Sequence, residues 1–415
     1  MTKPSTTLDV ARARERYAQV RAHSLALTRS LSPEDQSVQS MPDASPTKWH
    51  LAHTTWFFET LLLDVFKPGY VEFDSRLAYL FNSYYEALGP RHERAHRGLL
   101  TRPTLEEVLA YRRYVDTAVD ELLASMPAGE SSDILETLTL GLNHEQQHQE
   151  LLVTDILHAF SRNPLLPALA PAPGLLRDPQ RQSVGAEWLR HPGGIIDVGH
   201  EGAAFAFDNE RPRHAVLLRP FVIADRLVTN AEYLAFIDDG GYRRPEFWLS
   251  DGWAALRANG WDAPGYWLQR GSLPIPAGQG RKDDWLIFGV DGLRPLDPTD
   301  TVTHLSFYEA AAYAQWAGAR LPTEFEWEAA ASRPGMRQVA DRAWQWTRSS
   351  YEPYPGFRPH AGAASEYNGK FMVGQLVLRG GSIATPVGHD RPSYRNFFPA
   401  PTRWQITGLR LARDA

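Results

Sequence analysis

The sequence predicts an α+β chain in two parts, a four-helix bundle followed by a sheet-rich unit. Three observations carry this. Apolar segments with helical period dominate up to about residue 165. Six prolines then fall at 164, 167, 171, 173, 179 and 192, a spacing that favours extended chain over helix. Beyond them come short apolar runs, Gly and Pro turns and many tryptophans. The expected division is 1–165 for the bundle, 166–190 for a Pro-rich linker and 191–415 for the sheet-rich part.

The four periodic segments cover about 9–31, 46–64, 104–125 and 133–160, each long enough for an amphipathic helix. Asp133 can cap the fourth, whose apolar pattern starts at Ile134. Pro192-Gly193-Gly194 opens a strand-like run. Asn230 to Ile237 and Ser306 to Trp316 read as two short helices that begin at Thr229 and Ser306, the latter with Glu309 as a capping box. Leu376 to Ser382 and Gly408 to Ala412 read as late strands.

Composition narrows the function. Of 415 residues, 43% are hydrophobic, enough for real cores, and the net charge is 43 − 49 = −6. That balance argues against nucleic acid or an anionic membrane as partner. No run of 18 apolar residues is present, and Met1 to Arg21 lack the apolar core of a secretory signal, so the expectation is a soluble cytoplasmic protein. Cysteine is absent, so any transition-metal site must use histidine and carboxylate. Drift or a thermal preference explains the missing thiols; so does the handling of oxygen, which oxidises them.

The richest stretch is His144-Glu145-Gln146-Gln147-His148. Histidines four apart share a helix face and can close on one metal. Gly141, one turn earlier, is expected to leave open space, and Asp155 follows on the same face two turns later. A third ligand is needed. His53, in Trp49-His50-Leu51-Ala52-His53, is the best candidate, although His50 shares its face and spacing does not exclude it. The stretch also reads as H-E-x-x-H, the zinc-hydrolase signature, but Gln149 to Asp155 supply no familiar third ligand. Tyr84 and Tyr85, in Asn82-Ser83-Tyr84-Tyr85, either pack or donate a proton or hydrogen atom beside an oxygen-activating metal. Asn396-Phe397-Phe398, close to Arg391 and Arg403, either joins the core or boxes a quaternary ammonium.

Together these residues resemble the iron-dependent sulfoxide synthases of ergothioneine biosynthesis, over nearly the whole chain. Ser45-Pro46-Thr47-Lys48-Trp49-His50-Leu51-Ala52-His53, Phe81 to Tyr85 and His144 to Glu150 resemble their DinB-type four-helix bundle. Val228 to Tyr233, Arg320 to Glu328, Arg379-Gly380-Gly381-Ser382 and Gly408 to Arg413 resemble their formylglycine-generating-enzyme-like half, a C-type-lectin relative. The resemblance implies an Fe(II) site on His53, His144 and His148. It implies as substrates hercynine (Nα-trimethylhistidine), a thiol and O2, joined through a new carbon–sulfur bond with oxidation to the sulfoxide. Gln147 matches the residue that bonds the substrate imidazole. Asn396, Phe397 and Phe398 match positions that hold the betaine end. Tyr84 and Tyr85 match the tyrosines near iron in the branch that uses cysteine. Phe398 stands where the γ-glutamylcysteine branch has an Asp, which implies cysteine rather than γ-glutamylcysteine.

There are three departures from the family pattern, of which the first and third lie near the residues assigned to the donor end. Pro90 to Arg97 carries Glu93 and His96 where Pro and Glu are expected, Ala343-Trp344-Gln345-Trp346-Thr347 replaces N-V-W-E-W-T, and Gly388 to Pro392 contains Asp390 and Pro392 where relatives usually have neither. They are compatible with a related group, the selenoxide synthases of selenoneine biosynthesis, which share the fold and iron site but take a selenosugar.

Overall fold

The computed structural model describes residues 10–126, 132–169, 185–274, 279–360 and 365–415. Most of the expected linker, residues 170–184, lies outside them. Among the described residues no helix is long and apolar enough to cross a membrane.

The bundle helices are α1 (Val10–Thr28), α2 (Thr47–Phe58), α3 (Leu105–Ala124) and α4 (Ser132–Ser161). Helix α2 is buried along all twelve residues, which explains why it shows almost no polar face. It runs on through a π turn, Glu59–Leu63, into one last α turn, Asp64–Phe66, where the sequence suggests an unbroken helix. A capping box of Thr104 with Glu107 starts α3. Asp133 lies inside the first turn of α4, where its charge favours the helix N-terminus. Both α1 and α2 pack on α4. Gly141 is not an opening: a Cβ there would meet Phe58 Cε1 at 2.5 Å, so the glycine lets α2 and α4 approach closely.

In chain order the strands are β1 (Trp188–His191), β2 (Gly194–Val198), β3 (His214–Leu218), β4 (Phe221–Ala224), β5 (Trp267–Gln269), β6 (Trp285–Gly289), β7 (Gly292–Pro295), β8 (Trp344–Ser350), β9 (Leu376–Arg379), β10 (Asn396–Phe398), β11 (Thr407–Gly408) and β12 (Ala412–Asp414). They form sheets β1-β4-β12, β2-β3, β5-β6-β7 and β10-β9-β8-β11. The intervening helices are α5 (Asn230–Asp238), α6 (Ser250–Asn259), α7 (Phe307–Trp316) and α8 (Glu324–Ala331). Thr229 and Ser306 cap α5 and α7 as expected, and Thr323 with Glu326 forms a third box that opens α8. The run from Gly408 to Ala412 is not one strand. The chain leaves β8, its partner at Thr407–Gly408, and joins β4 at Ala412, so the pairing is interrupted where it changes sheet.

The halves meet along α4. Glu150 accepts from Trp344 Nε1 at 2.7 Å, Ser382 Oγ at 2.6 Å and Thr385 Oγ1 at 2.9 Å. Burial raises the pKa of this carboxyl, and these bonds oppose the rise. The docking places β10, with Asn396 paired to Leu378 and Phe398 to Leu376, opposite the histidine face of α4.

Candidate metal centre

His53, His144 and His148 come together with ligand atoms within 4.8 Å of one another. Their arrangement follows from two helices, His53 on α2 and the other pair four apart on α4. The His53 ring lies between Trp49 (centroids 4.6 Å apart, stacked) and Trp56 (5.5 Å), while Phe57 lies 4.5 Å from His144. Burial in this aromatic setting holds His53 and His148 well below the usual histidine pKa and brings His144 down to about 3. All three are therefore neutral near pH 7, the form that binds metal.

The hydrogen bonds test whether an ion fits. His53 Nδ1 donates to the Phe81 carbonyl at 2.6 Å, which leaves a lone pair on Nε2. That atom faces His144 Nε2 at 3.2 Å. Two nitrogens bound at right angles to one ion, each about 2.1 Å from it, lie about 3 Å apart. The observed 3.2 Å is close to that separation, and the buried Nδ1 of His144 has no partner among the described residues that would turn the ring away from it. The donor set therefore fits a metal. His50 is not in the cluster: its Nδ1 lies 2.9 Å from His148 Nδ1, and its Nε2 3.1 Å from Asp155 Oδ2.

Glu145 points away from the histidines. It accepts from Arg21 Nη1 at 3.0 Å and Ser24 Oγ at 2.6 Å, and it pairs with Arg112. Burial alone would raise its carboxyl, but Arg112 and Arg21 bring it down to about 2. A carboxylate so engaged is no general base for a metal-bound water, and the zinc-hydrolase reading loses its catalytic group.

The histidines open into a cavity of about 380 Å³ between the two halves, within the usual range for a small-molecule site. Gln147 lines it, its Nε2 donating to Tyr394 Oη at 2.7 Å and its Oε1 accepting from Tyr367. Asn396, Phe397 and Phe398 form the opposite wall, with Phe397 stacked on Tyr351 at 4.1 Å. Tyr84 and Tyr85 line the side. The Tyr84 hydroxyl accepts from Arg94 Nη1 at 2.9 Å, whereas that of Tyr85 has no hydrogen-bond partner among the described residues. Burial raises the Tyr85 pKa, so it stays a phenol. Arg94 and Arg97 supply positive charge at one end. Arg97 lies over the Trp49 ring and bonds Ser45 and Ser83 at 2.9 and 3.1 Å, and burial beside Arg94 lowers it to about 9.

Two family models match the chain, the DinB superfamily over residues 16–152 and the sulfatase-modifying factor enzyme 1-like domain over residues 175–339. A hercynine oxygenase of Mycolicibacterium smegmatis is 32% identical over 91% of this chain and 92% of its own. That of Mycolicibacterium thermoresistibile is 33% identical over 90% and 88%. This chain belongs to the hercynine oxygenase family. It is an oxygenase enzyme of that family, built from a DinB-type bundle and a formylglycine-generating-type half. The chain is also similar to the formylglycine-generating enzyme of Streptomyces coelicolor, 36% identical over 55% of this chain and 68% of the relative.

Two residues expected at the substrate lie elsewhere in this enzyme. Arg391 pairs with Glu210 and stacks on Tyr394, 4.9 Å from the ring centroid. Arg403 pairs with Glu309 at 3.1 Å and covers Trp261. Neither lines the cavity; buried carboxylates hold both guanidinium groups in the second half. The departures Glu93 and His96 pair with each other at an exposed site, 3.1 Å apart, and Asp390 is exposed. Gln345 bonds Trp327 at 2.6 Å and Arg410 at 2.8 Å, inside the core. Tyr367, which fixes Gln147 and faces His144 with ring centroids 5.8 Å apart, is missed by the sequence reading because no periodic pattern marks it.

Proposed function

We propose that this enzyme is a non-haem Fe(II)- and O2-dependent sulfoxide synthase that joins hercynine to the sulfur of cysteine. The observation that carries the reading is the neutral three-histidine cluster at the head of a cavity whose far wall is Asn396-Phe397-Phe398. His53, His144 and His148 would hold the iron, which when bound supplies oxygen activation and open positions for imidazole and thiol. Gln147, its amide fixed by Tyr367 and Tyr394, presents a hydrogen-bonding group to the imidazole edge. Asn396 and the two phenylalanine rings receive the betaine end. Arg94 and Arg97, without a carboxylate partner among the described residues, attract the carboxylate of the thiol amino acid. Tyr85 holds a proton at a free hydroxyl beside the cluster.

The test is product identification by mass after iron-loaded enzyme meets hercynine, O2 and either cysteine, γ-glutamylcysteine or a 1-seleno sugar. The expected product is the hercynine–cysteine sulfoxide, with γ-glutamylcysteine a poor donor. A selenosugar used better than either thiol moves the enzyme to the selenoxide branch, and the absence of hercynine-dependent oxygen uptake overturns the proposal. In the same assay Tyr85→Phe should keep iron and hercynine binding but shift product from coupled sulfoxide toward oxidised donor; an unchanged rate and ratio in both Tyr85→Phe and Tyr84→Phe removes the tyrosines from the chemistry.

Aromatic faces around a quaternary ammonium are worth about 0.5–2 kcal/mol, roughly 2- to 30-fold in affinity. Phe397→Ala or Phe398→Ala should therefore raise the hercynine KM by that factor and weaken discrimination against unmethylated histidine. Steady-state kinetics on both amino acids checks this, and unchanged discrimination in both variants removes the aromatic wall from recognition.

A further inference from the structure

Beside His148, and lining the same cavity, lie two nearly fully buried polar residues, His50 at 3% exposure and Asp155 at 5%. Asp155 Oδ2 accepts the Ser45 amide at 2.8 Å, so this oxygen is an acceptor. His50 Nε2 lies 3.1 Å from the same oxygen and must donate to it. The other ring nitrogen, His50 Nδ1, lies 2.9 Å from His148 Nδ1. With its proton on Nδ1, His148 donates to that atom. Its Nε2 is left bare, the only state of the ring compatible with both a hydrogen bond to His50 and a metal at Nε2.

We propose that Ser45, Asp155 and His50 form an outer relay that fixes the tautomer and orientation of His148 and thereby sets the metal affinity of the three-histidine cluster. The inference rests on the proposed metal centre. The proposed ligands are supported unequally. His53 donates to a neutral carbonyl, and His144 Nδ1 has no partner among the described residues, whereas His148 is linked through one imidazole to a carboxylate. A carboxylate behind a metal-bound imidazole raises its basicity and holds the ring in place, and losing such a partner typically costs 10–100-fold in metal affinity. His50 and Asp155 are thus positioning residues that reach the metal through His148.

Anaerobic titration of the full chain with Fe(II), and with Co(II) read by its visible absorption, tests the relay. Wild type should bind one ion per chain. Asp155→Asn and His50→Phe should weaken binding by about 10–100-fold and shift the Co(II) bands. His50→Gln should recover a large part of the affinity, because its amide oxygen accepts the His148 Nδ1 proton. Apo-protein unfolding midpoints measured alongside separate this from packing, which lowers the midpoint without moving the spectrum. Should Asp155→Asn fail to fold, the His50→Gln and His50→Phe pair decides. Folded variants with wild-type affinity and spectrum overturn the relay alone; a wild type that binds neither ion overturns the metal centre and the relay together.

Discussion

Alanine at His53, His144 or His148 should remove stoichiometric iron binding and all hercynine-dependent oxygen uptake. Each residue would supply one of the three proposed neutral ligands, and among the described residues the cluster contains no carboxylate to take its place. A site reduced to two imidazoles loses more than the roughly 100-fold upper range expected for an outer partner. His50→Ala should therefore retain a weakened site, which gives the series its contrast. Iron per chain after dialysis is the measurement. An enzyme that keeps one iron without His53 but loses it without His50 would reverse the ligand assignment.

The second large effect is on stability. Glu145→Ala should cost about 3–5 kcal/mol, because it leaves Arg112 buried without its carboxylate and Arg21 with Asp116 alone. Urea unfolding measures it, and an unshifted midpoint would mean that the three charges contribute nothing to the fold. The same carboxylate links stability to pH. Its pKa is depressed in the folded enzyme from the ordinary 4.5 to about 2, so the unfolded chain takes up the proton first. The contribution is complete above the unfolded value and is lost as pH falls from about 4.5 toward 2. Were Glu145 instead a catalytic base, Glu145→Gln would abolish turnover and leave the unfolding midpoint in place.

The helices were legible in the sequence because period 3.6 survives in any window, as in α3 and α4, and the four-residue spacing of His144 and His148 carried half of the cluster. Asp155 was legible as a member of that face, seven residues beyond His148. Its use was not, because the link runs through His50, 105 positions away in sequence. The same holds for Glu145. It lies beside His144 in an attractive motif, yet its role is decided by Arg21 and Arg112, 124 and 33 residues distant. Arg391 and Arg403 misled for a complementary reason. Positive charge close to aromatics is as characteristic of a guanidinium stacked in a core as of one that meets a ligand, and only the carboxylates Glu210 and Glu309 tell the two apart.

Gln147 and Glu150 sit three residues apart on α4, and each is gripped by side chains of the other half. One turn of one helix thus carries both a proposed substrate contact and the bolt that holds the second half in place. The histidines belong wholly to the bundle, whereas the wall opposite them belongs wholly to the sheet-rich half. On the proposed function, recognition of the betaine end and the ligands of the metal thus lie on different halves of the chain. Substitutions in β10 should change the first without touching the second, provided the Glu150 bolt stays closed.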